Sequence, residues 1–302
     1  MYIDSHGAKW FKGNLHTHTT DSDGRISPGD CAALYRGRGY DFLSFTEHWK
    51  VSPNRTHENG LLLLSGVEYD FGRQVREGVF HIVAIGCEED PGVTRQDTAQ
   101  SCIGKIRAAG GLSDLAHPAW SMNTVEQMES LGGVDYTEIY NTTSGLPRNC
   151  RPYSGDVIDK LAARGTVWKT AAVDDAHWYK GDECRSFIWV RAEECGREAI
   201  LGAMRRGEFY SSQGPRLEVS FVPPSDGTPG KVAVDCPEED GVRAIVYFTD
   251  TAWTGHRTDV AQSPDEVLTH GEFVLTGRES YVRVEAIDGE GRYAWAQTVV
   301  VV

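Results

Sequence analysis

Apolar and polar positions follow two different rhythms along this chain, and the rhythm changes near residue 214. Before that point short apolar runs alternate with longer amphipathic stretches. The runs predict strands over residues 13–19, 42–45, 61–68, 79–86, 112–116, 136–140 and 167–173. Ser27-Pro28-Gly29-Asp30 reads as an N-cap, a proline at the first helical position and an acid at the third, opening a helix toward Arg38. The stretches 98–109, 154–164 and 199–206 each run into a glycine and predict three more helices. Strand and helix in repeated alternation predict an α/β fold with a parallel sheet, closed into a barrel at this length.

Beyond Gly214-Pro215 the segments LEVSFV, KVAVDC, RAIVYFTD, EFVLTG, YVRVEAID and AWAQTVVVV alternate apolar with polar at period two. Turn-rich PPSDGTPG and DGEGR separate some of them, and no helical pattern intervenes. The expected organisation is a barrel over 1–214 followed by a small all-β sandwich-like domain over 215–302.

Composition narrows the picture. With 302 residues, 40% hydrophobic and 10% aromatic, the chain can bury a substantial core. Its formal charge of −14 repels nucleic acid and anionic membrane, so no nucleic-acid polymer and no membrane is expected as a partner. A small anionic substrate held by local positive charge is not excluded. The seven cysteines are scattered and never spaced C-x-x-C, which argues against a thiolate metal site and a disulfide framework. MYIDSHGAKW has neither the basic nor the apolar region of a signal peptide, and the expectation is a cytoplasmic protein.

The candidate chemistry lies where predicted strands end. His16 and His18 end the first, His48 follows the second in FTEHW, and Glu68 ends the third in GVEYD. His81 falls early in the fourth, in FHIVAIG; His117 ends the fifth in DLAHPAW; Asp175 and His177 follow the seventh in AAVDDAHWY. The carboxyl ends of barrel strands form one rim, where residues remote in sequence converge. Spacing of i, i+2 puts His16 with His18, and Asp175 with His177, on one face of an extended chain. Taken singly, His81 reads as a core histidine and Glu68 as a solvated acid. Taken together, so many imidazoles and carboxylates at one rim are too costly to bury without a cation. Nitrogen and oxygen donors without thiolate suit Zn²⁺, Mn²⁺ or Fe²⁺. His6, His57, His256 and His270 lack this context and read as surface residues.

In this order, LHTHTTDSDG, FTEH, GVEYD, FHIVAIG, LAHP and DDAH span about residues 10–180. Together they resemble the PHP (polymerase and histidinol phosphatase) metallohydrolases. The chain is most similar to members whose first motif reads H-x-H-x-x-x-x-D-G, a bacterial branch of small-molecule phosphoesterases with a carbamate-hydrolase-like subgroup. The terminal YVRVEAIDGEGRYAWAQ is similar to a small β-domain appended in that subgroup. The resemblance implies a distorted (β/α)7 TIM-like barrel holding two or three divalent ions. It implies His16, His18, Glu68 and Asp175 around the first ion, and Glu68, His81 and His117 around the second. Asp23, His48 and His177 would hold the third, with Asp23 standing where some relatives have histidine. Glu47 departs from the family's usual T-D-H and is placed behind the ligands, and the D-x-H spacing favours Asp175 over Asp174.

Two ions sharing Glu68 would make a bridging hydroxide available as nucleophile, with Asp175 or His177 among the candidates to protonate the leaving group. Arg148 and Arg151 in GLPRNCRPY, Arg185 in GDECRSF, and Asn141 ending EIYN are the expected substrate-binding residues. Trp49 and Trp120, each close behind a motif histidine, are candidates to line the pocket. The expected activity is a phosphoesterase acting on a small phosphorylated metabolite or nucleotide. The alternative is hydrolysis of carbamate, carboxylic ester or amide bonds on the same centre. A catalytically silent scaffold ranks third, and an exonuclease is disfavoured by the acidic chain. The β-domain is expected to brace the barrel, cover one end or mediate a homo-oligomer, with Trp253 and Tyr293 as interface or core aromatics.

Overall fold

The computed structural model describes residues 1–225, 227–251 and 257–301. Trp253 and His256, singled out above, lie outside the described residues. In chain order the elements of the first two-thirds are β1 Tyr2–Ile3, β2 Lys9–Asn14, α1 Pro28–Gly37, β3 Phe42–Ser44, β4 Arg55–Thr56, β5 Leu62–Leu64, β6 Gly66–Phe71, β7 Phe80–Ile85, α2 Ala99–Ala108, β8 Leu112–Leu115, α3 Pro118–Ser121, α4 Val125–Glu129, β9 Tyr136–Asn141, α5 Gly155–Ala162, β10 Lys169–Val173, β11 Phe187–Arg191 and α6 Arg197–Arg206. Then follow β12 Phe209–Ser212, β13 Glu218–Val222, β14 Lys231–Asp235, β15 Val242–Phe248, β16 Thr258–Val260, β17 His270–Val274, β18 Tyr281–Asp288, β19 Tyr293–Trp295 and β20 Val299–Val300. Two compact units result: Met1–Val157 with Trp168–Phe209, and Ile158–Val167 with Tyr210–Val302.

Helix boundaries follow their caps. Ser27 accepts a hydrogen bond from the Asp30 amide at the start of α1. Thr98 and Ser101 form a reciprocal capping box on α2, and α6 ends on Gly207 in the left-handed conformation.

The first unit is mixed α/β. One sheet runs β11-β2-β3-β5-β4 with β1 beside β2, and the other runs β10-β9-β8-β7-β6. The pairs β2–β3, β3–β5, β8–β9 and β9–β10 are parallel, whereas β6–β7 and β7–β8 are antiparallel. Single bridges, Thr17 to Ala176 and His48 to Glu68, link the two sheets at one rim. Among the described residues the pairing thus does not close into one continuous barrel ladder, and helices are fewer than a sevenfold alternation requires.

Two local causes account for this. The expected strand over 61–68 divides at Ser65, where pairing passes from β3 and β4 on the β5 side to β7 on the β6 side, and Gly66 permits the close passage, since a Cβ there would lie 2.4 Å from the Phe45 carbonyl oxygen. From β6 to β7 the chain turns back through one short 3-10 turn at Val75–Glu77, too little for a crossover, so these strands must pair antiparallel. Leu15, Phe42, Leu64, Val83, Ile85, Leu112, Tyr136, Val173 and Ile188, drawn from both sheets, form one buried cluster. Their apolar runs are those of strands covered on both faces.

The second unit holds two antiparallel sheets, β16-β15-β18-β19-β12 with β20 on β18, and β13-β14-β17. Tyr247 of β15 and Phe273 of β17 bring the sheets together with ring centroids 5.5 Å apart. Gly271 permits that approach, since a Cβ would lie 2.6 Å from the Tyr247 hydroxyl. Tyr293, half-buried, stacks on the buried Trp295. No helix among the described residues is long and apolar enough to cross a membrane.

Candidate metal centre

The rim of the first unit gathers its polar groups in three overlapping sets. His16, His18, Glu68 and Asp175 form one, Glu68, His81 and His117 a second, and His18, Asp23, His48 and His177 a third, the donor atoms of each lying within 4.8 Å of one another. Glu68 joins the first two. Its Oε2 lies 3.2 Å from Nε2 of both His16 and His18, and its Oε1 lies 2.6 Å from His81 Nδ1 and 3.4 Å from His117 Nε2. Asp175 Oδ1 completes the first set at 3.2 Å from Nε2 of both His16 and His18. In the third set Asp23 stands 3.6 Å from His18 Nδ1, 3.7 Å from His48 Nε2 and 3.5 Å from His177 Nε2. His18 is the addition here, because its ring borders both the first and the third set.

Each side chain reaches the rim for a local reason. β2 ends at Asn14, and the extended residues after it are held by the Thr17–Ala176 bridge, so His16 and His18 stay on one face. Gly24 is required behind them, since a Cβ would lie 2.4 Å from the His18 carbonyl oxygen. Glu47 is fully buried and accepts from the Thr19 amide at 3.0 Å and from the Thr19 and Ser22 hydroxyls, fixing the turn that carries Asp23. Asp174 points away from the donor sets and takes the amides of Cys184, Arg185 and Ser186. Among the described residues, the non-glycine ones with positive φ are Trp49, His117, Met122, Asp175, Tyr179 and Cys184. Five of them stand within five residues of His48, His117 or His177, the pattern of backbone strain held in place by a functional site.

The donor atoms suit divalent ions. Both ring nitrogens of His18 and Oδ1 of Asp175 are buried and, despite the 3.2 Å approach of His18 Nε2 to Asp175 Oδ1, make no hydrogen bond of proper geometry, an arrangement that costs free energy unless something else satisfies them. Burial opposes protonation of His16, yet Asp175, Glu68 and Glu138 hold its pKa well above the ordinary value. His177 is likewise raised, to about 9, by Asp175 and Asp23 against the effect of burial. A hydrogen bond from His177 brings Asp23 down to about 2. The excess of carboxylate that draws protons onto these rings is the field that would hold cations there.

A cavity of about 250 Å³ opens on the centre, lined by residues that include Trp120, Thr143, Ser144, Arg148, Asn149 and Trp178. The Arg148 guanidinium lies 4.1 Å above the Trp178 ring. The other expected substrate residues stand elsewhere. Arg151 and Arg185 are exposed and do not line this cavity. Asn141 is buried and faces the ligands instead, donating to Glu138 at 2.8 Å and Asp175 at 3.2 Å. Trp120 lines the cavity, its ring 4.9 Å from that of His117. Trp49 lines a neighbouring cleft, donating to Asp70 beneath the Arg95 guanidinium.

Two further acids, which no motif in the sequence marks, are buried near the centre. Glu138 lies behind His16, and Asp114 is buried with its pKa pushed well up, first by burial and then by the charge of Glu138. Their only signal was an acid inside each apolar strand, LSDL and YTEIYN.

No family model matches the chain, and no curated protein matches it in sequence. Among solved structures it is similar to a two-domain protein from Bacteroides vulgatus, described as containing a predicted PHP-like metal-dependent phosphoesterase. The TM-score is 0.53 at 15% identity, covering 99% of this chain and 90% of that one. An amidohydrolase from Chromobacterium violaceum with bound sulfate and no metal gives a TM-score of 0.40 at 15% identity, over 56% of this chain and 89% of that one. A chain from Bifidobacterium adolescentis, provisionally described as a metal-dependent phosphoesterase, gives 0.41 at 14% identity, over 55% and 87%. At these identities the first shows a shared fold and the other two carry no argument.

Proposed function

We propose that this chain is a metal-dependent phosphoesterase of the PHP kind, hydrolysing a small phosphorylated metabolite or nucleotide at the rim of a distorted (β/α)7-like barrel. The observation that carries the reading is the trio of donor sets joined through Glu68 and His18. Divalent ions held there would supply Lewis-acid activation of water and charge neutralisation at phosphoryl oxygens. The protein's own groups do the rest. Arg148 offers a planar fork of donors matched to phosphate oxygens, and Trp178 beneath it limits its rotamers. Trp120 and Trp178 wall the cavity against bulk water. His177 holds its ring by an Nδ1–H bond to the Asp175 carbonyl, 2.7 Å away, leaving Nε2 toward Asp23 and the centre.

At about 250 Å³ the cavity suits a phosphoryl group with a small remainder. With a charge of −14 on the chain, this favours a small molecule over a nucleic-acid polymer. Arg148 favours phosphorus over a neutral carbamate or ester.

The test pairs metal content with a substrate panel of phosphomonoesters, phosphodiesters, aryl carbamates and carboxylic esters. The expected result is ion-dependent turnover of a phosphoester with competitive inhibition by inorganic phosphate. Turnover of carbamates or carboxylic esters alone, unaffected by phosphate, would overturn the assignment. His117→Ala serves as the control, keeping the fold while losing ion occupancy and turnover.

A further inference from the structure

We infer that Glu138 is a positioning residue whose single carboxylate sets the geometry of ligands in two of the donor sets at once, an inference that rests on the metal-centre reading above. Glu138 is fully buried on β9. Its Oε1 lies 2.6 Å from His16 Nδ1, while its Oε2 accepts from the His117 amide and from Asn141 Nδ2, each at 2.8 Å. A carboxylate can only accept here, so His16 carries a proton on Nδ1. That fixes Nε2, facing Glu68 and Asp175 at 3.2 Å each, as the nitrogen whose lone pair an ion would take once its own proton is displaced.

The bond to the His117 amide acts on the second set. His117 has φ +31°, a conformation that non-glycine residues rarely adopt, and it begins α3 with no side-chain cap. Holding its amide fixes the turn that directs Nε2 toward Glu68 Oε1. Through Asn141, which also reaches Asp175 Oδ2 at 3.2 Å and accepts from the Ser144 amide at 3.0 Å, the same carboxylate braces a third ligand.

The strand supplies this reach by a bulge. Across the parallel β9–β10 pair Ala171 faces Glu138 while Ala172 faces Tyr140, so Ile139 is an extra residue. The extra residue shifts the alternation, and Glu138 and Asn141, three apart, come to one face.

Glu138→Gln tests the inference because it keeps size and shape while replacing one acceptor oxygen with an NH₂ group. Three donors surround the carboxylate, and a carboxamide cannot accept from both sides. Zn²⁺ or Mn²⁺ affinity is measured by competition with a chromophoric chelator, the His16 tautomer by ¹⁵N NMR, and folding by circular dichroism and urea midpoint. The expected result is a loss of about tenfold to a hundredfold in affinity for two ions together, with the Nδ1–H tautomer of His16 no longer dominant. Glu138→Asp, which keeps an acceptor for every donor, should recover the tautomer and part of the affinity, and decides the matter if the Gln variant does not fold. Unchanged tautomer and unchanged affinity in a folded Glu138→Gln protein would overturn the inference, as would loss at one ion alone. If the unaltered protein binds no divalent ion, the metal-centre reading itself fails, and the shift and exchange protection of the His16 Nδ1–H proton, which Glu138 holds in either protonation state of the ring, still decide in the two variants whether Glu138 orients it.

Discussion

Asp70 and His81 face each other across the antiparallel β6–β7 pair, so the first residues of β7 reach the rim at which β6 ends. That reversal puts His81 Nδ1 2.6 Å from Glu68 Oε1. His81→Ala removes one donor from the second set and leaves the first intact, whereas Glu68→Ala removes the carboxylate both share. Metal analysis after dialysis should show one ion fewer per chain for His81→Ala and two fewer for Glu68→Ala. Turnover should fall about a hundredfold or more in each, the scale of a few kcal/mol lost at the transition state. Equal ion content in the two variants would remove Glu68 from its bridging place.

Asp174 is an anchor for the loop that carries Asp175 and His177. Its carboxylate accepts from the amides of Cys184, Arg185 and Ser186 at 2.8–2.9 Å, from Asn14 Nδ2 at 2.9 Å and from the Tyr35 hydroxyl at 2.8 Å. Asp174→Ala strands these donors in a buried place and should cost about 3 to 5 kcal/mol of stability. The check is the urea midpoint at unchanged m-value, and a loss below about 1 kcal/mol would mean that water replaces the carboxylate.

The gathering of these donor side chains is legible in the sequence because each rides on a short motif whose type survives any detail of pairing: His16 and His18 by spacing, Asp175 and His177 by the same spacing. His81 was the misfit, early in its strand where the others are late. The reversal of β7, set by a connection too short for a crossover, was not written in the hydrophobic pattern. Glu138 was hidden for a different reason. Strict alternation assigns it and Asn141 to opposite faces, and only the bulge at Ile139 joins them. Loop position alone marks the arginines in the sequence, and a loop position does not tell which way a long side chain turns. Arg148 faces the cavity because Trp178 gives it a ring to lie on.

The phosphate contact proposed for Arg148, which lines the cavity, can be tested directly. Arg148→Ala should raise KM for a phosphoester about tenfold or more with a smaller change in kcat, since its bond to phosphate forms already in the bound substrate. Trp178→Ala should shift KM in the same direction by less, by loosening the guanidinium. Because Arg148 is exposed, the urea midpoint should not move. A kcat loss with KM unchanged would instead place Arg148 on charge that develops in the transition state.

In the β-domain, His270 gives a pH signature remote from the centre. It faces Asp235 across β14–β17, with Nδ1 2.7 Å from Asp235 Oδ1 and Nε2 3.4 Å from Glu272 Oε1. The bond to Asp235 raises its pKa above the ordinary value. Protonated His270 is thus favoured by folding. Its contribution is complete below the unfolded pKa and fades as pH rises through the higher folded value. The pair is exposed, so the contribution is about a few tenths of a kcal/mol. A ¹H NMR titration should show His270 titrating above about 6.5, and Asp235→Asn should bring it back toward that value.

Arg283 of β18 is fully buried, with its Nε and Nη2 each 2.8 Å from the two oxygens of Asp159 and its Nη1 on Glu285. The guanidinium also lies 4.1 Å over the Phe248 ring. Such a charge is held by its partners, and removing it leaves acids without a cation in a place that water reaches poorly. Arg283→Met should therefore cost about 3 to 5 kcal/mol, more than a lost methylene-for-methylene contact can explain. Replacing the acids as well, by Asp159→Asn and Glu285→Gln in the Arg283→Met background, should return part of that loss, because no bare carboxylate remains. Additive losses in the triple variant would show that packing around Arg283, and not the charge left behind, sets its value.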